Sequence, residues 1–309
     1  MAKQQVIFMA AILAFSASLS GVEHGARGVG PADSVVVITL GTGTPVPNPR
    51  AAGAATAVLV GHRVFLFDAG SNVERQLAAA GLPTDGVEAV FFTHLHSDHT
   101  LGYADLIFTS WVFGRHDALR AFGPPGLKAM TSHLVAAFAD DIDARTSGLE
   151  HAPRNGYRVK AQETRGGIVY DSAGVRIAAF RVPHGAFKVA LGYRIVANGR
   201  TIVISGDTRP SDEVTRQSQN VDVLVHEVYS ASKTDPNERM ADGGHWATYL
   251  ASAHTSDVEV GRIAARANPR MVVLTHVISQ GATDEELIAG VHSGGYKGRV
   301  AVAHDLDRY

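Results

Sequence analysis

The sequence predicts an α/β protein made of two sheet-plus-helix halves packed face to face. Three observations carry this expectation. Apolar, β-branched runs of strand length recur along the chain, closed by Gly, Asp or Asn turns. Segments with helical periodicity lie between them. The coarse order of strands, a helix and strands again occurs twice, which is the pattern of two layered halves. With 309 residues and 45% apolar content, the chain can bury a large core.

Taken from the N-terminus, residues 1–21 read as a signal peptide: Lys3 precedes the apolar run from Val6 to Phe15, and small residues from Ser16 to Gly21 follow. That run is shorter than the roughly 20 apolar residues of a membrane span, so export to the periplasm or medium is expected, with no span after processing. Residues 22–33 read as a flexible lead into a single domain over 34–309. Ser34 to Leu40 is a strand closed by Gly41-Thr42-Gly43-Thr44-Pro45, which is not a phosphate-binding loop because no G-x-x-x-x-G-K-[ST] follows. Ala57 to Val60 and Val64 to Asp68 flank Gly61 as a hairpin. Ser71 is placed to cap a helix to about Ala80. The strand Ala89 to Thr93 leads into a helix from Asp98 to about Phe108. Gly123-Pro124-Pro125-Gly126 precedes a helix over Leu127 to Phe138, and residues 139–165 read as polar and irregular. Strands follow at 167–170, 175–182, 190–196, 201–205, 221–225 and 271–274, with helices at 256–268 and 284–291.

The chemistry is concentrated in Thr93-His94-Leu95-His96-Ser97-Asp98-His99-Thr100, directly after an apolar strand. On extended backbone His94 and His96 share a face, so two imidazoles converge on one cation. A helix starting after Ser97 turns Asp98 and His99 toward a second position beside the first. Four further apolar runs end on metal-binding residue types: His184, Asp207, the pair His226-Glu227, and His276. Strand ends are rigid places to hold ligands. A lone histidine is ordinarily solvated or hydrogen-bonded, and His24, His62, His116, His133, His151 and His292 are read so. Cysteine is absent, which removes disulfides, thiolate nucleophiles and sulfur ligands. Nitrogen and oxygen donors suit zinc, with manganese and iron as competitors. Net charge is -2 with no long basic run, so a nucleic-acid partner is not expected from composition.

THLHSDHTLG, with FDAG, PHG, SGDT, HEV, an H-T-S before a helix, and LTH, resembles the metallo-β-lactamase fold superfamily, and within it the branch of ribonuclease Z and secreted arylsulfatase or phosphodiesterase relatives. The resemblance runs from about Val35 to the C-terminus. It implies an αββα sandwich of two mixed sheets with helices on the outer faces. It also implies two divalent metal ions: His94, His96 and His184 ligate one, Asp98, His99 and His276 the other, and Asp207 bridges both. Asp68 braces the histidine loop without touching metal. His254, in Ala253-His254-Thr255-Ser256, assists the transition state or leaving group, supported by His226 and Glu227. Asp98 is a second catalytic candidate, placed to orient the attacking solvent oxygen or move its proton.

Bound zinc lowers the pKa of water to about 7 and supplies hydroxide at neutral pH. The expected function is therefore exported hydrolysis of a small anionic ester, an aryl sulfate or phosphodiester, with Trp111, Tyr229 or Trp246 as aromatic walls. Ribonuclease Z-type cleavage of tRNA is the alternative by motif, although the tRNA-gripping Gly/Pro/Lys-rich arm of that family has no counterpart in residues 139–170. β-Lactam or lactone hydrolysis and a non-catalytic metal-binding protein are further alternatives. The assembly state stays open, a homodimer included.

Overall fold

The computed structural model describes residues 34–240 and 243–309; the expected signal peptide, the lead and His24 lie outside them. The first sheet takes β1 (Val35–Gly41), β2 (Ala55–Val60), β3 (Arg63–Phe67), β4 (Val87–Phe91), β5 (Leu119–Gly123) and β6 (Val159–Glu163). The second takes β7 (Gly167–Ser172), β8 (Val175–Val182), β9 (Ala190–Ala197), β10 (Arg200–Ile204), β11 (Val223–Tyr229), β12 (Met271–Ile278) and β13 (Arg299–Val302). β14 (Asp307–Arg308) returns to pair with β1, giving orders β14-β1-β2-β3-β4-β5-β6 and β13-β12-β11-β10-β9-β8-β7. Both sheets are mixed: β3 to β6 and β10 to β13 run parallel, and their remaining neighbours are antiparallel.

Alternation along the strands builds three apolar layers. In β3, Phe65 and Phe67 face the second sheet, where they join Phe91, Phe122, Ile177, Tyr193 and Val225. Val64 and Leu66 face outward. There they meet α1 (Val73–Ala79), α3 (Tyr103–Val112) and α4 (Leu127–Ala137) through Leu77, Leu106 and Leu127. The second sheet's outer face packs on α6 (Asp212–Gln217), α8 (Asp257–Ala267) and α9 (Asp284–Ser293) through Val214, Ile263 and Leu287. This is the expected αββα sandwich. Phe91 stacks between Phe67 and Phe122 with ring centroids 5.1 Å away on each side, at the centre of the inner layer.

Several local expectations differ from the structure. The segment 139–165 is not irregular: it contains α5 (Ala139–Ser147) and β6. α5 buries no residue, so it has no apolar stripe to read; its support is local, from Asp140 and Asp141 in its first turn and the Asp141–Arg145 ion pair. The single helix expected from Asp98 is two, α2 (Ser97–Thr100) and α3. They break at Gly102, where a Cβ would meet the Gly70 carbonyl oxygen at 2.1 Å. Asn72, with φ 77°, stands at the N-cap of α1 in place of Ser71. α7 (Trp246–Ala253), α6, β5, β13 and β14 were not legible as separate runs. Among the described residues no helix is long and apolar enough to cross a membrane.

Candidate metal centre

Parallel strands in open sheets place ligands beyond their carboxyl ends, and here the ends of β3, β4, β10 and β12 converge with the end of the antiparallel β8. β3 delivers Asp68, β4 the histidine segment, β8 His184, β10 Asp207 and β12 His276. The sheets are tied at this edge by Leu191 N donating to Thr93 O at 2.8 Å and Tyr193 Oη donating to Phe92 O at 2.7 Å. Gly206, with φ 61°, is required there because a Cβ would lie 2.5 Å from Leu191 O. His276 and Glu227 lie within strands, not after them as expected. The β11–β12 register slips after Glu227, which pairs with Thr275 while Val228 pairs with Val277. His276 is thus the extra residue of a bulge, with φ 46°, and the bulge aims its ring.

The structure brings the expected residues together in two groups able to hold a metal ion. His94, His96 and His184 offer nitrogens within 4.8 Å of one another, and an Asp98 oxygen lies as close to nitrogens of His99 and His276. Asp207 Oδ2 lies 4.0 Å from His94 Nε2, 3.9 Å from His184 Nε2, 3.4 Å from His99 Nε2 and 3.6 Å from His276 Nε2. That oxygen sits between the two groups, where a bridging ligand belongs. None of His62, His116, His133, His151 and His292 joins a ligand group.

The chain also sets which imidazole nitrogen faces inward. His184 Nδ1 donates to Ala253 O at 2.7 Å, which leaves Nε2 as the inward lone pair. His99 Nδ1 donates to Asp68 Oδ2 at 2.8 Å, and its buried Nε2 has no hydrogen-bond partner among the described residues. Asp68 Oδ1 accepts from Thr93 N and Oδ2 from Thr93 Oγ1, each at 2.8 Å, so the Thr93 oxygen accepts from His94 Nδ1 at 3.0 Å. His94 Nε2 and His184 Nε2 then approach His96 Nδ1 at 2.8 and 3.2 Å. Tetrahedral ligands 2.0–2.1 Å from zinc stand about 3.3 Å apart, so these nitrogens fit a shared cation. Such outer hydrogen bonds orient metal-binding imidazoles.

Burial and the two carboxylates set the charge of each of these groups. Burial, reinforced by the neighbouring His99, holds His94 well below the ordinary imidazole range. Burial and His184 lower His96. Burial lowers His184 although Asp207 opposes it. Burial also opposes charge on His99, but Asp207 and Asp68 outweigh it and hold that ring well above its usual value. For Asp207, burial would raise the carboxyl; His276 and His99 more than reverse this. Burial is likewise overcome at Asp98 by the His276 hydrogen bond and His99, which lower it.

The pattern of the beta-lactamase superfamily domain matches residues 63–277, which carry every ligand just described. The chain belongs to this superfamily. As a superfamily member it is a hydrolase by family, with a metal-binding His/Asp set. It is 32% identical to ribonuclease Z of Mycobacterium marinum over 281 residues, covering 89% of this chain and 98% of the relative. Against ribonuclease Z of Mycobacterium bovis it is 33% identical over 279 residues, covering 88% and 96%. Among solved structures, the metallo-β-lactamase fold protein YhfI from Bacillus subtilis is 19% identical with TM-score 0.69, covering 90% of this chain and 99% of that one. Human tRNase Z, short form, is 20% identical with TM-score 0.66, covering 89% and 98%. These structural likenesses show the fold.

The remaining expected positions divide. His254 sits at the C-terminal end of α7 with Nδ1 3.3 Å from Glu227 Oε2 and 4.0 Å from Asp207 Oδ2. Glu227 Oε1 accepts from the Thr208 and Thr255 amides at 3.1 and 3.0 Å, so the carboxylate is fixed. Burial works against charge on His254, but Glu227 outweighs it and raises the ring's pKa. His226 is fully buried with Nδ1 on the Glu227 carbonyl at 2.7 Å and reaches no ligand, so its support is structural.

Trp111 is not an aromatic wall: it is buried in the outer helical layer, where its Nε1 donates to Pro153 O. An apolar residue on a helix facing the sheet is core unless the sheet ends beneath it. Tyr229 is half-buried in β11, and its backbone forms a parallel bridge with Ser256. Trp246 stacks on Tyr249 at 5.3 Å, and Tyr249 lies 5.8 Å from the His254 ring. Thr93, Tyr249 and Phe187 were missed. The Phe187 ring centroid lies 4.5 Å from that of His96 and 5.2 Å from that of His94. Its spacing after His184 was a usable signal, whereas nothing local marked Tyr249.

Proposed function

We propose that this chain is a metal-dependent phosphodiesterase of the ribonuclease Z kind. The carrying observation is the Glu227–His254 pair set against the bridging position: a buried carboxylate holds an imidazole whose ring reaches within 4.0 Å of Asp207. Nearly full-length similarity to proteins named ribonuclease Z supports the phosphodiester over the sulfate ester preferred from sequence. When bound, two divalent ions supply Lewis acidity for the phosphoryl oxygens and hydroxide at neutral pH. His94, His96, His184 and Asp207 would hold one of them, and Asp98, His99, His276 and Asp207 the other.

His254 does the work the ions cannot. Its Nδ1 lies 3.3 Å from Glu227 Oε2, and that carboxylate favours the protonated ring, which then has a proton to give to the departing oxygen. Asp98, whose Oδ2 lies 3.1 Å from His276 Nε2, is placed to orient the attacking solvent molecule. Beside Asp98 the surface opens into a cleft of about 960 Å³ walled by Val46, Leu101 and Arg50, wide enough for an aromatic or nucleoside group. The expected leader supports export, in which case the working substrate is a small phosphodiester or extracellular RNA.

Zinc-loaded protein assayed with bis-p-nitrophenyl phosphate, p-nitrophenyl sulfate, a chromogenic cephalosporin and precursor tRNA tests the proposal. Turnover of a phosphodiester substrate is expected. Sulfatase or lactam activity without phosphodiesterase activity, or inertness on all four with two metals bound, would overturn it. Sequencing the mature N-terminus after expression in an exporting host tests the leader.

A further inference from the structure

A second groove borders the metal centre on the side of His184. It has a volume of about 650 Å³ and is formed where the end of β8, the β8–β9 turn, the segment after Asp207 and the last turn of α7 meet. His184 and Phe187 belong to its wall, and the same Phe187 ring lies against His94 and His96. The groove and the metal centre therefore share a partition one aromatic ring thick.

The charge of this groove departs from the rest of the surface. The chain as a whole carries -2, yet Arg181, Lys188 and Arg209 all enter this one wall. Its only carboxylate among the described residues, Glu213, is already engaged by Arg216 and Gln217. Arg181 donates to Lys188 O at 2.7 Å, which fixes the turn. The Arg209 backbone N–H donates to Pro183 O at 2.9 Å, which holds that residue beside His184. The Lys188 ammonium and the Arg209 guanidinium are exposed and have no partner among the described residues. Two cations unpaired among the described residues, beside a ligand-bearing turn and a saturated carboxylate, are arranged to receive an anion.

We propose that this groove is a subsite for a second anionic group of the substrate, a phosphate flanking the one that is cleaved, with Lys188 and Arg209 as its counter-charges. The proposal rests on the phosphodiesterase reading above and sharpens it: the preferred substrate carries at least two phosphates, one on each side of the Phe187 ring. A simple aryl ester fills only the metal centre and the opposite cleft. Ribose-linked phosphates are spaced by one nucleoside, so an oligonucleotide or a nucleoside bisphosphate ester meets this requirement.

The test uses two esters with the same scissile bond and leaving group: thymidine 5′-(p-nitrophenyl phosphate) and its 3′-phosphorylated derivative. The wild-type protein should prefer the bisphosphate by about tenfold in kcat/KM, the scale of a modest charge contribution. That ratio should fall toward one in the double variant K188Q/R209Q, and added salt should reduce it in wild type. Because the ratio is taken within each protein, a general loss of activity does not alter it. Calorimetric titration of the zinc-loaded proteins with thymidine 3′,5′-bisphosphate and thymidine 5′-monophosphate reads the same preference without turnover. A binding preference lost in the variant, with neither ester cleaved, keeps the subsite and removes the phosphodiesterase reading. Equal binding of both ligands to wild type, or a preference that survives the double substitution, overturns the subsite whatever the turnover.

Discussion

Substitution of Asp68 by Asn tests the proton arrangement of the centre, because it removes one negative charge while leaving almost every heavy atom in place. The Asp68 carboxylate is buried and accepts three hydrogen bonds, from Thr93 N, Thr93 Oγ1 and His99 Nδ1, each at 2.8 Å. An amide can keep its oxygen on Thr93 N, and its NH₂ then faces Thr93 Oγ1 and His99 Nδ1. The reverse orientation sets an N–H against the Thr93 N–H and leaves a buried donor unpaired, at about 1–3 kcal/mol. In the better orientation His99 Nδ1 must accept, so its proton moves to Nε2, the atom 3.4 Å from Asp207 and 3.5 Å from Asp98. A protonated nitrogen cannot bind a cation. Loss of such a supporting partner costs about 10–100-fold in metal affinity, or about 1.4–2.7 kcal/mol. The loss should concentrate on the Asp98/His99/His276 position. Competition titration with a chromogenic chelator, plus elemental analysis after dialysis against buffered zinc, should show one tight and one weakened site. Two sites of wild-type affinity in Asp68→Asn would refute the assignment of the inward nitrogen.

Other outcomes follow from the same geometry. Asp207→Ala should lower metal content at both positions, since one oxygen serves both groups; unchanged stoichiometry by elemental analysis counts against bridging. His254→Ala should retain both metals and lose about 10²–10⁴ in rate on esters with poor leaving groups, with much less loss for p-nitrophenolate. Equal losses on the two kinds of ester would remove His254 from proton donation. Glu74, on α1, is buried with no hydrogen-bond partner on either oxygen among the described residues, and burial together with Asp105, against Arg115, pushes its pKa from 4.5 to about 8. Its folded-state pKa is raised, so wild type loses stability relative to Glu74→Gln as pH climbs from about 4.5 to 8, by about 1.4 kcal/mol per unit, and the difference is flat above that. Parallel urea melts of the two proteins across this range should diverge; parallel curves would disprove the buried acid. Phe91→Ala should cost about 3–5 kcal/mol, read as a lower urea midpoint at unchanged slope, because it empties the centre of the intersheet stack.

The residues that gather at the candidate metal centre, with Asp68 behind them, were legible in the sequence because each ends, or lies just beyond, an apolar run, and strand ends carry short, conspicuous residue patterns. The layered α/β architecture was legible for a related reason: strand-length runs alternating with periodic helices leave few other ways to bury 45% apolar content. What needed three dimensions was any feature whose cause lies far along the chain. α5 has no buried face to announce it, and Trp111 has the same apolar signature whether it lines a cleft or fills a core. The bulge that aims His276 exists only in the register between β11 and β12, and the inward nitrogens are fixed by acceptors such as Ala253 O, 69 residues from His184. A sequence states which side chains are available at the end of each strand; only packing of the two sheets decides which of their atoms meet, and in which protonation state.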